Sequence, residues 1–309
     1  MKRPHFFLIG APKSGTTALY EYLREHPKIF LCEKDLNFFS EDIPGMRRVR
    51  AEDEYLELFA GARDEHRAVG EASSLYLFSS VAAQRIREFA PNAKLIALLR
   101  NPIDLAYSFH GQLLYSGEED VEDFEKAWAL QDERRAGRSI PRRCTAPEQL
   151  QYREIAALGT QIQRLTTLFP ATQLSLHLHD DLVRDPGVVY EAVLAFLGVP
   201  SDNRTEFPRV NVAKSHRNDA VGAFTEQPPA LIRKTVRLVK KILRIEELGI
   251  MSRLRAVNDA ERKRPPLDPA FRNQLRDVFR PEINLLSSVL DRDLSHWLKP
   301  AQNREESKQ

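Results

Sequence analysis

Residues 6–27 read FFLIGAPKSGTTALYEYLREHP, and the fold turns on how that stretch is parsed. An apolar run, Phe6–Ile9, has the length and composition of a buried strand. It meets a loop carrying Gly10, Lys13, Gly15, Thr16 and Thr17. An amphipathic stretch follows and stops at Pro27. Strand, glycine-containing loop and helix start make an anion cradle, because the first N–H groups of a helix lack intrahelical partners and point at whatever lies beyond the end. The spacing approaches G-x-x-x-x-G-K-[ST], but Thr16 stands where the triphosphate-binding pattern has lysine. The loop's lysine lies earlier, at Lys13.

Further along, four more short apolar runs read as buried strands: KIFLC (28–32), AVGEA (68–72), KLIALLR (94–100) and QLSLHLH (173–179). Helical patterns over 17–25, 81–89, 149–169 and 186–197 separate most of them. Strands alternating with helices predict an α/β fold with a central parallel sheet flanked by helices. Ligands in such folds lie outside the carboxyl ends of the strands, so the residues just after each strand deserve the closest reading.

The C-terminal third is helical in pattern. Residues 230–245, ALIRKTVRLVKKILRI, place Ile232, Val236, Val239 and Leu243 on one face and basic residues elsewhere. That is the pattern of a surface helix with a cationic outer side, or of a docking face for an acidic substrate or membrane surface. RKRPPLDP (262–269) is a linker by composition. A last helical stretch covers 270–290, and residues 300–309 read as a frayed tail after a single domain spanning 1–299.

Length and composition set outer limits. A chain of 309 residues can bury a substantial core. Its formal net charge of +2, with 29% charged residues, gives no overall polyanion-binding character and no expectation of nucleic acid as partner. The apolar runs are too short for a bilayer span and no signal peptide is read, so the expected compartment is the cytoplasm. The two cysteines, Cys32 and Cys144, lack CxxC or histidine spacing, and no metal site is expected.

Three strand-end segments carry chemistry: the Lys13–Thr17 loop, KDLNFF (34–39) and LLRNPIDLAYS (98–108). A magnesium-dependent phosphotransferase would usually place an aspartate at such a strand end. The fourth run ends instead in Arg100, a residue suited to gripping a second phosphate through parallel N–H bonds. Two anion sites without a metal site match a nucleotide phosphorylated at both ends of its ribose, such as 3′-phosphoadenosine 5′-phosphosulfate (PAPS).

On these motifs the chain resembles the PAPS-dependent sulfotransferases, in the branch that includes the heparan sulfate sulfotransferases and many bacterial proteins. PKSGTT (12–17) resembles that family's 5′-phosphosulfate loop and LLRNPIDLAYS its 3′-phosphate motif. The likeness continues through GEASSLYL (70–77), DDLVRDPGVVYEAVLAFLGV (180–199), NVAKSHRN (211–218) and RDLSHWL (292–298). The resemblance implies a P-loop-type sheet and a sulfuryl transfer from PAPS to a hydroxyl, in preference to an amine, leaving adenosine 3′,5′-bisphosphate. It implies that Lys13, Ser14, Gly15, Thr16 and Thr17 hold the 5′-phosphosulfate and that Arg100 and Ser108 hold the 3′-phosphate. Asn211, Lys214 and Arg217 sit in a polar loop that either closes over the nucleotide, with Arg217 among its ligands, or is simply solvated. The family pattern KE-x-x-FF falls on Lys34, Asp35, Phe38 and Phe39, so Asp35 takes the place of the glutamate base, with Lys13 and Lys34 beside it. A lysine carried by the heparan sulfate branch falls at Ala72. The acceptor implied is a small molecule, glycan, lipid or carrier-bound alcohol.

Each residue has a plainer reading. Arg100 can pair with Asp104, Ser108 can bond back to its own helix, Asp35 can cap a local turn, and His110 is a rival base. Two other classes of function also remain open: a P-loop kinase using ATP and magnesium, and an inactive nucleotide-binding homologue.

Overall fold

The computed structural model describes residues 2–208 and 264–299, together with the backbone of two short strands between them. The chain runs β1 (Phe6–Gly10), α1 (Thr16–Arg24), β2 (Ile29–Leu31), α2 (Glu52–Glu57), β3 (Ala68–Ala72), α3 (Ala82–Phe89) and β4 (Lys94–Leu99). Next come α4 (Pro102–Ser116), α5 (Phe124–Ala129), α6 (Gln131–Arg135), α7 (Tyr152–Ile155) and α8 (Leu158–Leu168). Then follow β5 (Leu174–Leu178), α9 (His179–Arg184), α10 (Pro186–Leu197), β6 (Lys214–His216), β7 (Asp259–Glu261) and α11 (Pro269–Leu290). Residues 230–245, Asn211, Arg217 and the tail 300–309 lie outside the described residues.

β1 is central because it can be buried on both faces. The sheet order is β2-β3-β1-β4-β5 and every pairing is parallel. Alternate side chains of β1 serve opposite layers. Phe6 and Leu8 join Leu19 and Leu23 of α1 and Tyr190, Val193 and Leu194 of α10 in one core. Phe7 points the other way, edge-on to Phe39 at 5.8 Å, in an aromatic layer where Phe39 meets Tyr55 and Phe89. Phe6 lies so close to β3 that a Cβ on Gly70 would fall 2.4 Å from its ring, so glycine is required there.

Three helices start alike, with an Asn or Asp cap followed by proline at the first helical position. Asn101 Oδ1 accepts from Ile103 N at 3.0 Å before Pro102, Asp185 caps α10 before Pro186, and Asp268 caps α11 before Pro269. The side chain satisfies an orphan amide and the ring presets φ. The pattern expected as one helix over 149–169 is broken. A 3-10 turn covers Pro147–Leu150, α7 ends at Ile155 and α8 starts at Leu158. Gln161 Nε2 donates to the carbonyls of Glu154 and Ile155, adding a side-chain donor at the end of α7, where the last carbonyls lack α-helical partners.

The chain divides into two compact units. One is drawn from residues 1–109, 146–210 and 267–309 and holds the five-stranded sheet; the other is drawn from 110–145 and 211–266. In the first, α11 docks along α8, where Thr160 N and Oγ1 donate to the Glu282 carboxylate at 2.8 and 2.6 Å. In the second, Glu119 and Arg134 form a two-pronged pair at 2.6 and 2.7 Å with both side chains fully buried. Among the described residues no helix is long and apolar enough to cross a membrane.

Candidate active site

The loop between β1 and α1 is shaped by what its carbonyls do. Ser14 Oγ donates to Pro12 O at 3.4 Å, Arg100 Nη1 to Lys13 O at 2.7 Å, and His179 Nδ1 to Ser14 O at 3.1 Å. Three successive carbonyls are thus tied to side chains, away from the helix end. At α1, Leu19 N reaches back to Gly15 O, so the amides of the preceding turn have no residue four positions back inside the helix. Gly15 caps this helix in the left-handed region at φ 95°. A Cβ there would lie 2.5 Å from Leu182 Cδ2. Glycine is needed both for the conformation and for the closeness of α9.

Cations gather around this loop. Lys13 is half-buried, and its pKa is lowered by burial first and then by the positive charges of Arg100 and Lys34. Burial also lowers Arg100, against the opposing pull of Asp104 and Asp180. Repelling, partly desolvated cations are a favourable place for an anion, which relieves both penalties together. Asp104, the alternative partner of Arg100, is engaged by Arg272 Nη1 of α11 at 2.9 Å.

Beyond β2 the chain turns through Lys34–Phe39. Asp35 and Asn37 adopt positive φ, 60° and 51°. Asp35 N donates to Ala72 O at 2.7 Å, which pins the turn to the end of β3. Its carboxylate accepts from Lys34 Nζ at 2.8 Å on Oδ2, and from both N and Oγ of Ser74 at 3.1 Å on Oδ1. The side chain is still 43% exposed. A carboxylate held on one side and open on the other can take a proton from an incoming group.

The residues singled out from sequence fall as follows. Lys13, Lys34 and Arg100 converge electrostatically, and Asp35 sits on Lys34. The Ser14 side chain is buried, so that residue faces a ligand only through its backbone. Thr16 is buried and Thr17 half-buried in the first turn of α1. Ser108 is half-buried on α4, six residues beyond Pro102 and about 9 Å along the helix axis. His110 is fully buried in the second unit. Its Nε2 donates to Val121 O at 2.8 Å, its Nδ1 accepts from Arg264 Nη2 at 2.9 Å, and burial lowers its pKa to about 4. Both nitrogens are engaged, which removes it as a rival base.

Three residues here were not anticipated. Ser74 holds Asp35, His179 holds the β1–α1 loop, and Glu71 is a fully buried carboxylate in β3. His179 stands at the end of β5 and Ser74 just after β3, so the strand-end rule pointed to both; Glu71 is marked only as an acid inside an otherwise apolar run.

A strand–loop–helix anion cradle, a second cation at the end of β4 and a carboxylate after β2 define a nucleotide-dependent group transferase of the P-loop type. Comparison with known proteins gives the family. The sulfotransferase domain model matches residues 3–218, and the chain belongs to that family, the PAPS-dependent sulfotransferases. Bifunctional heparan sulfate N-deacetylase/N-sulfotransferase 2 of Bos taurus is 26% identical over 305 residues, covering 96% of this chain. Type 1 of Xenopus laevis is 32% identical over 202 residues, or 63% of the chain. The chain spans 31% of the length of the bovine relative. The crystal structure of a sulfotransferase from Alicyclobacillus acidocaldarius matches with a TM-score of 0.71 and 28% identity, covering 97% of this chain and 100% of that one.

Proposed function

We propose that this protein moves a sulfuryl group from PAPS to a hydroxyl, in preference to an amine, of an acceptor that is a small molecule, glycan, lipid or carrier-bound alcohol. The observation that carries this reading is the meeting of Lys13, Arg100 and Lys34 beside the Asp35 carboxylate at the carboxyl end of the sheet. The site suits such a donor because Lys13 and Arg100 are partly desolvated and the positive charges around Lys13 repel one another, penalties that a bound anion relieves. PAPS, when bound, supplies an electrophilic sulfur with adenosine 3′,5′-bisphosphate as its leaving group.

This chain's residues divide the remaining work. Amides of the Ser14–Thr17 segment and the Lys13 ammonium hold the 5′ end. Arg100 and Ser108 hold the 3′-phosphate, and Arg217 belongs to the same set. Asp35 accepts the acceptor's proton on a carboxylate oxygen. Lys34, bonded to that carboxylate at 2.8 Å, and Lys13 offset negative charge growing on the donor side. Residues 1–299 act as one sulfotransferase domain, working in the cytoplasm. The heparan sulfate enzymes are N-sulfotransferases by name; the lysine of that branch corresponds to Ala72 here, which favours a different acceptor.

The test is incubation with ³⁵S-labelled PAPS and a panel of sugars, phenols, lipids, carrier-bound alcohols and amines. Label should pass to a hydroxyl-bearing acceptor without added magnesium. Phosphate transfer from ATP–Mg²⁺ with no label transfer would overturn the proposal.

A further inference from the structure

Glu71 lies in the middle of β3 with no exposure to solvent. Buried carboxylates are rare unless their oxygens are fully engaged. Here the two oxygens accept from three hydroxyls: Tyr55 at 2.7 Å, Ser73 at 2.5 Å and Tyr76 at 2.8 and 3.0 Å. Each of these donors also grips the turn that carries Asp35. Ser73 Oγ accepts from Asn37 N at 2.9 Å, and Tyr76 Oη accepts from Phe39 N at 3.4 Å. The Tyr55 ring stacks on Phe38, centroids 4.2 Å apart at an interplanar angle of 7°.

The chemistry of the hydroxyls explains why the carboxylate matters. A serine or tyrosine hydroxyl has one proton, so where it donates decides where its lone pairs point. A carboxylate that accepts from Ser73 and Tyr76 turns both oxygens toward the amides of Asn37 and Phe39. The turn needs such support, because the positive φ of Asp35 and Asn37 is seldom held by L residues without outside contacts.

We infer that Glu71 is a positioning residue for sulfuryl transfer: through the Tyr55, Ser73 and Tyr76 hydroxyls it holds the Asn37–Phe39 turn and so fixes the place of the Asp35 carboxylate. The inference rests on the reading of Asp35 as the base. Glu71 itself touches neither donor nor acceptor; it acts through the turn.

The test compares Glu71→Gln, Ser73→Ala and Tyr76→Phe with the wild-type protein. Amide hydrogen exchange is followed by mass spectrometry in the adenosine 3′,5′-bisphosphate complex. The peptide spanning 34–40 should exchange faster by about tenfold, the factor expected for one lost hydrogen bond. The peptide spanning 11–20 and the affinity for the bisphosphate should not change. With the acceptor returned by the labelled-PAPS screen, kcat should fall about tenfold with KM for PAPS unchanged, as for an interaction used only in the transition state. A lowered melting temperature with unaltered exchange at 34–40 would make Glu71 a support of the core and overturn the inference. Should Glu71→Gln fail to fold, the Ser73 and Tyr76 variants, each losing one hydroxyl, decide the matter by the same two readouts. Asp35→Asn separates the two readings. It should slow turnover while leaving exchange at 34–40 near the wild-type rate, and a full-rate Asp35→Asn protein would remove both the base and the role inferred for Glu71.

Discussion

The turns after β1 and β2 both deliver charge to the carboxyl end of one sheet, yet they present it through different groups. The first presents backbone amides at a helix start after a left-handed glycine, with its carbonyls tied to the side chains of Ser14, Arg100 and His179. The second presents a side chain, the Asp35 carboxylate, on a segment pinned by Asp35 N to Ala72 O and fastened by Ser73, Ser74 and Tyr76. The lesson is a division of labour. A diffuse anion can be bound by a rigid arrangement of amides and cations, whereas a proton must be taken at one oxygen, and that oxygen needs a specific anchor.

If the division holds, damage to each turn should show in a different measurement. The largest effect should follow Asp35→Asn, which keeps the side-chain size but cannot accept a proton at neutral pH. A positioned base contributes about 10²- to 10⁴-fold to rate, so kcat should fall within that range while calorimetry finds the bisphosphate affinity unchanged. Gly15→Val attacks the other turn. Positive φ on a branched residue and the approach of Leu182 together should cost about 2–5 kcal/mol, read as a lower melting temperature and weakened bisphosphate binding. Normal binding by Gly15→Val would show that the cradle is more pliant than its contacts suggest.

The same contrast explains what was readable in the sequence. The β1–α1 loop was legible because its determinants are adjacent: an apolar strand, Gly10, Lys13, Gly15, and a helical pattern after it. The five strands of the parallel sheet followed from their apolar runs, with observed boundaries within a residue, whereas β6 and β7 followed from none. The support for the second turn was not legible, since Tyr55, Glu71 and Tyr76 meet Asn37–Phe39 only once α2, β3 and the segment after β3 have packed. The signal was one acid within AVGEA, a strand whose five residues are all buried. The break between α7 and α8 was hidden for a similar reason. Apolar positions at Tyr152, Ile155, Leu158, Ile162 and Leu165 keep a helical spacing, while Gln161 supplies the hydrogen bonds that make the interruption tolerable.

A smaller effect sharpens the comparison through pH. Burial raises the Glu71 carboxyl to about 7, opposed by its hydrogen bonds from Ser73, Tyr55 and Tyr76 and reinforced by the charge of Asp35. A carboxyl whose folded pKa is raised keeps its proton in the folded protein while the unfolded chain loses it. Its contribution to stability is therefore largest below about 4.5 and declines as pH rises toward 7. His5, His110, His177 and His179, whose pKa values are lowered first by desolvation, act in the opposite sense. The difference between Glu71→Gln and wild type isolates Glu71. In urea titrations at pH 5 and pH 8 that difference should move in favour of the glutamine protein by up to about 3 kcal/mol. A flat difference would mean that the carboxyl titrates as an ordinary acid.

The most direct measurement concerns the nucleotide, on which the whole account depends. Wild-type and Arg100→Ala proteins are titrated calorimetrically with adenosine 3′,5′-bisphosphate, adenosine 5′-phosphate and ATP–Mg²⁺. The wild-type protein should prefer the bisphosphate to both others. Arg100→Ala should weaken bisphosphate binding by about 1.5–3 kcal/mol, the worth of a charge-assisted pair, and leave adenosine 5′-phosphate nearly unaffected. Tightest binding of ATP–Mg²⁺, or equal losses for bisphosphate and monophosphate, would contradict the assignment of β4's terminal arginine to a 3′-phosphate.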